Sequence, residues 1–184
     1  DSYSQTLQWE KSVYGEKSIL YSGSIRVASK HDVYINAGTV MGGVIIWDLY
    51  KEEVVHNLVG HEGSIFNVQM SSDTKYIVSC SDDRSIKLWD FKSGKLLSTA
   101  WGHTARIWNL KFYANEKAVI SVSEDLTSRT WIITDEEQLV PNETYQLHLG
   151  RHIWGLDVNK EGSYAATGGN DGRVRFCLLY TSPS

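Results

Sequence analysis

Between Gly102 and Trp131 apolar and polar side chains alternate in short runs. Ile107, Leu110 and Phe112 mark one run, a second ends on Ser-Val-Ser-Glu-Asp at 121–125, and a third closes on Trp131. Alternation of this length, punctuated by Gly, Asn, Asp and Ser, predicts three strands joined as an antiparallel meander. The segment 60–89, GHEGSIFNVQMSSDTKYIVSCSDDRSIKLW, repeats the plan. It has the same Gly-His opening, an Asp six residues before the Trp, and 28 positions from His to Trp, counted from 61 to 89 and from 103 to 131. Helical periodicity is absent throughout.

Two further copies flank this pair. Upstream, ILYSGSIRVAS and DVYINAGTVMGGVIIWD lead to Trp47, so the step between Trp47, Trp89 and Trp131 is 42 residues each time. Downstream, LHLGRHIWGLDVNKEGSYAATGGNDGRVRFC aligns Trp154 with Trp108 and puts Cys177 where the next Trp is due, a step of 46 whose extra residues are expected in a loop around Pro141 and Asn142. A period of 42 lies within the roughly 40 to 45 residues of a WD repeat, each of which builds one four-stranded blade of a β-propeller. The expected fold is therefore all-β: about four blades of a larger, seven-bladed ring, spanning residues 1–177 with repeats ending near Trp47, Trp89, Trp131 and Cys177. The closing LLYTSPS, residues 178–184, breaks the pattern and is read as a non-native tail. An open arc leaves its end blades with bare apolar faces, so these 184 residues alone are expected to self-associate.

Composition adds limits. A hydrophobic content of 41% supports a packed core, and no apolar run approaches the length of a membrane span. The net charge of −4 is spread along the chain, which disfavours binding nucleic acid by phosphate neutralisation alone. Cys80 and Cys177 have neither CxxC nor Cys/His spacing, so no disulfide framework or zinc site is expected and a reducing, cytoplasmic setting fits. Neither a metal nor a cofactor is expected. His148 and His152 are four apart but lack a helix and a third ligand, and no glycine loop precedes a helix as phosphate binding would require.

His61, Ser81 and Asp83, and again His103, Ser123 and Asp125, have the residue types of a hydrolase triad. Their recurrence in successive repeats argues against catalysis, since an enzyme has no use for two nucleophiles in neighbouring blades. With Trp89 and Trp131 they read as two structural tetrads that satisfy buried polar groups, each of which would otherwise cost about 1–3 kcal/mol. The first and fourth repeats are expected to lack this network, with Met41 at the Asp position of the first, and Leu149, Gly169 and Cys177 at the His, Ser and Trp positions of the fourth. Phe66, Trp108 and Trp154 recur five positions after the His slot and are expected to pack between blades, with base stacking as the alternative. Lys87, Arg129 and Arg175, two before the Trp slot, are expected on a solvated strand face. Ser64, Arg106 and His152 vary in chemistry at the start of the innermost strand, as the rim of a binding site does.

Some words of the sequence go beyond the repeat. WGHTARIW (101–108), SDDRSIKLWD (81–90), AGTVMGGVIIWD (37–48) and ATGGNDGRVR (166–175) resemble the WD-repeat subunit of the eukaryotic tRNA 2′-O-ribose methyltransferase that modifies the wobble nucleotide of the anticodon. The resemblance covers about residues 18–176. It implies a non-catalytic scaffold that works with a separate methyltransferase subunit and engages tRNA through that complex. Arg106, Arg151 and His152 are the candidate partner or RNA contacts. A generic WD-repeat adaptor, such as a ubiquitin-ligase receptor or a trafficking scaffold, is the alternative.

Overall fold

The structure, a computed structural model, describes residues 19–146, 148, 149 and 152–179. The described residues contain fifteen strands and no helix. Strands β1 (Leu20–Val27), β2 (Val33–Thr39), β3 (Gly43–Asp48) and β4 (Glu53–Val59) form the first sheet, each paired antiparallel with the next. Strands β5 (Ile65–Met70), β6 (Tyr76–Ser81), β7 (Ser85–Asp90) and β8 (Leu96–Trp101) form the second. The third contains β9 (Ile107–Tyr113), β10 (Ala118–Ser123), β11 (Thr127–Ile133) and β12 (Leu139–Gln146). The fourth has β13 (Ile153–Val158), β14 (Tyr164–Gly169) and β15 (Val174–Leu178). These are four propeller blades in an unclosed arc. Trp47, Trp89, Trp131 and Cys177 each lie in the third strand of their blade, where the 42-residue step places them.

The blades stack through both faces, so the middle strands read as nearly continuous apolar runs. Strand β5 packs on β1 and β2, β9 on β5 and β6, and β13 on β9 and β10, which sets β1, β5, β9 and β13 along the inner edge of the arc. Between the first two blades Val44, Ile46 and Leu58 meet Ile65, Val68, Ile77 and Trp89. Between the second and third Val78, Cys80, Ile86 and Leu88 meet Ile107, Leu110, Val119 and Trp131. Each Trp thus seals its blade against the preceding one. Gly38 marks a close approach at the first joint, because a Cβ there would lie 2.5 Å from Ile65 Cγ2 and 2.9 Å from the Ile65 carbonyl oxygen.

One detail differs from the sequence reading. Pro141 and Asn142 sit inside β12, with Pro141 opposite Trp131, rather than in a loop. The additional residues divide between a longer β11–β12 hairpin and one residue between His148 and Ile153. At the end of the chain, Leu178 pairs with Tyr164, and Leu179 donates its N–H to the Ser163 carbonyl oxygen and is buried in the fourth blade's core. Residues 180–184, the rest of the segment read as non-native, lie outside the described residues. The two end faces are bare: Ile25 and Val27 on β1, and Val174 and Phe176 on β15, are all exposed.

Replacing Gly38 with alanine drives a methyl into Ile65 backbone as well as side chain, so Gly38→Ala is expected to destabilise the protein by about 1–3 kcal/mol. Urea unfolding checks this, with Gly23→Ala, a position where a Cβ meets nothing within 4 Å, as the near-neutral comparison.

Candidate functional site

Two side-chain systems organise the rim where the His-bearing loops meet the inner strands. One is buried and repeats from blade to blade. The other faces the inner edge and varies.

In the second blade His61 Nδ1 lies 2.8 Å from Asp83 Oδ2, His61 Nε2 lies 2.8 Å from Ser79 Oγ, and the Trp89 indole N–H donates to the same Ser79 oxygen at 3.0 Å. The third blade repeats this with His103, Asp125, Ser121 and Trp131 at 2.9, 2.8 and 2.8 Å. An indole only donates and a carboxylate only accepts, so one polarity satisfies every partner: Trp N–H to Ser oxygen, Ser O–H to His Nε2, His Nδ1–H to Asp. The hydroxyl is therefore that of Ser79 or Ser121, which corrects the assignment to Ser81 and Ser123. Ser79 and Ser81 share one face of β6, but Ser79 lies diagonal to Trp89 in the β6–β7 register, whereas Ser81 stands at the far end beside the turn. There Ser81 Oγ accepts the Asp83 N–H at 3.1 Å, and Ser123 Oγ does the same for Asp125.

Sequence reading also missed two members, Ser85 and Thr127. Each donates its hydroxyl to the Asp two residues earlier, at 2.7 and 2.6 Å. A hydroxyl two positions after each Asp was the available signal. These carboxylates secure a turn in which the next residue, Arg84 or Leu126, is held at φ 71° or 69° without being glycine. Burial acts to raise the pKa of Asp83 and Asp125, but the His partners and the hydroxyls outweigh it and hold both far below the usual carboxylate range. Burial pushes His103 below its ordinary value, against the pull of Asp125, so its neutral tautomer fits the relay.

The fourth blade keeps part of this network, contrary to the expectation that Leu149 and Gly169 had abolished it. The one additional residue before β13 moves the imidazole to His148, whose Nδ1 lies 3.0 Å from Asp171 Oδ1 and whose Nε2 lies 3.0 Å from Thr167 Oγ1. Gly169 makes room, since a Cβ there would lie 2.5 Å from His148 Nδ1. Arg175 reaches in with Nη1 at 2.7 Å from His148 Nδ1 and 2.6 Å from Asp171 Oδ2. With Cys177 in place of the indole no Trp N–H reaches Thr167, and Arg175 lies against both the imidazole and the carboxylate. Among the described residues the first blade has no such network: Trp47 is buried with no partner there for its indole nitrogen, Ala37 stands where Ser79 stands, and Met41 is exposed. Lys87 is buried and donates to Thr99 Oγ1 at 3.0 Å, which corrects its placement on a solvated face.

On the inner rim, Arg106 is clamped between blades. Its Nε lies 3.2 Å from Asp82 Oδ1 of the second blade and 2.7 Å from Glu124 Oε2 of the third, and its guanidinium covers the Trp108 ring at 5.5 Å. His152 Nδ1 lies 3.3 Å from the other Glu124 oxygen. Arg151 lies outside the described residues. Among the described residues no cluster of three or more His, Cys, Asp or Glu could hold a metal ion.

The WD40 family profile, described as WD domain, G-beta repeat, matches residues 52–90 and 140–177. The first match spans β4 to β7 and the second β12 to β15, so each covers one repeat unit shifted by a strand from its blade. WD40 repeats at these two positions support the WD-repeat family. No curated protein matches the chain.

The corrected network makes an expectation that separates the two serines. Ser79→Ala strands both the Trp89 N–H and His61 Nε2 and should cost about 2–4 kcal/mol in urea unfolding, whereas Ser81→Ala loses one weaker turn bond and should cost about 1 kcal/mol. Stability should also fall with pH. Below about 6.5 the unfolded chain takes up a proton at His103 that the folded state resists, and below about 4 it does so at Asp83 and Asp125. Melting temperatures measured from pH 7.5 down to 3 should decline throughout, and a flat profile would contradict the assignment.

Proposed function

We propose, with the WD40 repeats as premise, that the chain is a non-catalytic scaffold of a cytoplasmic tRNA 2′-O-methyltransferase complex. It helps place tRNA for ribose methylation at the wobble nucleotide, while a separate catalytic subunit performs the chemistry. WD40 repeat proteins are generally non-catalytic interaction scaffolds, and that coarser role rests on the matches themselves. The finer role rests on the resemblance carried by WGHTARIW and ATGGNDGRVR. The observation that carries the mode of action is the state of Arg106. Two carboxylates hold its Nε, and Asp82 and Glu124 would repel a phosphate brought to it. The surface suits a protein partner, and tRNA is then reached through the complex.

Mass spectrometry of anticodon-loop nucleosides from cells depleted of the protein tests this. Wobble 2′-O-methylation should fall while other tRNA marks persist, and expression of the protein should restore it. Unchanged methylation would leave the reading of a WD-repeat interaction adaptor.

A further inference from the structure

On the face of the arc opposite the His-bearing loops, three inner strands turn back through loops of equal length. Residues 72–75 lie between the paired Ser71 and Tyr76, 114–117 between Tyr113 and Ala118, and 160–163 between Asn159 and Tyr164. Each turn is closed by the same bond to the first carbonyl oxygen: Thr74 N–H to Ser71 at 3.1 Å, Glu116 N–H to Tyr113 at 2.9 Å and Gly162 N–H to Asn159 at 2.9 Å. In the second and fourth blades only Thr74 (φ 58°) and Gly162 (φ 68°) of these loop residues are left-handed. In the third the hand is reversed from the start, with Ala114, Asn115 and Glu116 at φ 52°, 51° and 66°. One chain thus builds a right-handed turn and its mirror image over equal spans, and the mirror image demands positive φ at both central residues, where alanine is disfavoured. Backbone held there is strained, and contacts around it must offset the strain.

Two contacts hold the reversed turn. Gly162 of the fourth blade makes room for it, since a Cβ there would lie 2.8 Å from Ala114 N. On the other side Glu116 reaches the second blade. The Ser72 N–H donates to Oε1 and Oε2 at 2.6 and 2.7 Å, and the Ser72 hydroxyl donates to Oε2 at 2.7 Å. Arg26 stands beside this pair with Nη2 4.0 Å from Oε1, its guanidinium fixed by Nε and Nη2 donating to the Met70 carbonyl oxygen at 3.1 and 2.5 Å. A backbone N–H, a hydroxyl and a guanidinium converging on one carboxylate make a donor set suited to an oxyanion. Here the chain's own Glu116 fills it.

Arg26, Ser72 and Glu116 line a cavity of 620 Å³, and Lys111 and Lys160 line it with them. Asp157, 3.5 Å from Lys111 Nζ, is the acid on its far side. With Glu116 swung out, the three cationic side chains face this one carboxylate. Asn115 and Glu116 also line a second cavity of 250 Å³ between the second and third blades, so the reversed turn stands between the two spaces.

We propose that Ser72 and Arg26 form a receptor for a phosphate group, free or as a small monoester, and that Glu116 occupies it as an internal stand-in until phosphate displaces it and the turn relaxes to the right-handed form of the second and fourth blades. Carboxylate and phosphate compete for the same donors, and the greater charge of phosphate favours it beside Arg26, Lys111 and Lys160. Strain in the reversed turn weakens the hold of Glu116, so the affinity for phosphate follows the fraction of molecules whose turn is released. The site lies on the face away from Arg106 and does not rest on the methyltransferase reading.

Calorimetric titration of the intact protein with inorganic phosphate, ribose 5-phosphate and ribose tests this, with hydrogen exchange at the Ser72 amide as a second readout. Both phosphates should bind, which compares the free ion with the ester, and ribose should not. Two substitutions of the exposed Asn115 should act in opposite directions. Asn115→Val, a β-branched residue that resists positive φ, should tighten phosphate about tenfold and speed Ser72 exchange in the absence of ligand. Asn115→Gly relieves the reversed turn and should weaken phosphate about threefold while slowing that exchange. Glu116→Gln removes the competing charge and should tighten phosphate about tenfold. Melting temperatures serve as the folding control. No phosphate binding by the unsubstituted protein or by Glu116→Gln, ribose binding as tightly as ribose 5-phosphate, or equal phosphate affinity in Asn115→Val and Asn115→Gly would each overturn the proposal.

Discussion

One buried hydroxyl on the second strand of a blade holds the surrounding architecture in register. Ser79 or Ser121 accepts from the indole of the third strand and donates to the imidazole of the loop before the first, and that imidazole grips the Asp of the turn. Three pieces of chain thus meet at one oxygen, and the imidazole carries the chain of bonds on to the turn. The hydroxyl is buried, so each partner it serves would otherwise be a buried polar group without a bond. The Asp at the far end also secures a turn whose next residue has a left-handed backbone. The tight turn, the seated loop and the sealed blade face are therefore aspects of a single chain of bonds.

The fold was legible because its signal is long-range and repeated. Alternation gave the strands, and the 42-residue step put each Trp in the third strand without any contact being known. The network was legible in its ends but not its centre. Ser79 and Ser81 lie on one face of one strand, and only the β6–β7 register decides which of them meets Trp89. Loop length hid the fourth copy: counting back from Ile153 lands on Leu149, while the chain accommodates one additional residue and offers His148. Backbone geometry is what sequence spacing does not encode, and a bulge is its smallest unit. For the same reason Tyr21, which sits 45 residues before Phe66 rather than 42, fell out of the aromatic set.

Arg106 illustrates how placement changes the meaning of a residue. By sequence it is a free cation on a variable rim. In the structure it is an interblade tie between Asp82 and Glu124 that also covers Trp108. Its charge is then offset by the two carboxylates that hold it. The fourth blade makes a parallel point, since Arg175 joins the imidazole and the carboxylate in the blade where a smaller thiol-bearing side chain stands in place of the indole.

Each inner strand opens on a β-bulge, and the unpaired residue is aromatic in all four blades: Tyr21, Phe66, Trp108 and Trp154. The extra residue contributes no ladder pair, so its ring can be exchanged without altering which backbone groups bond across the sheet. Tyrosine, phenylalanine and tryptophan occupy the position in successive blades of one chain, above a framework that stays the same. The ring at the rim and the ladder of the sheet are thereby written in separate residues of the same strand, and the first can be replaced while the second stays intact.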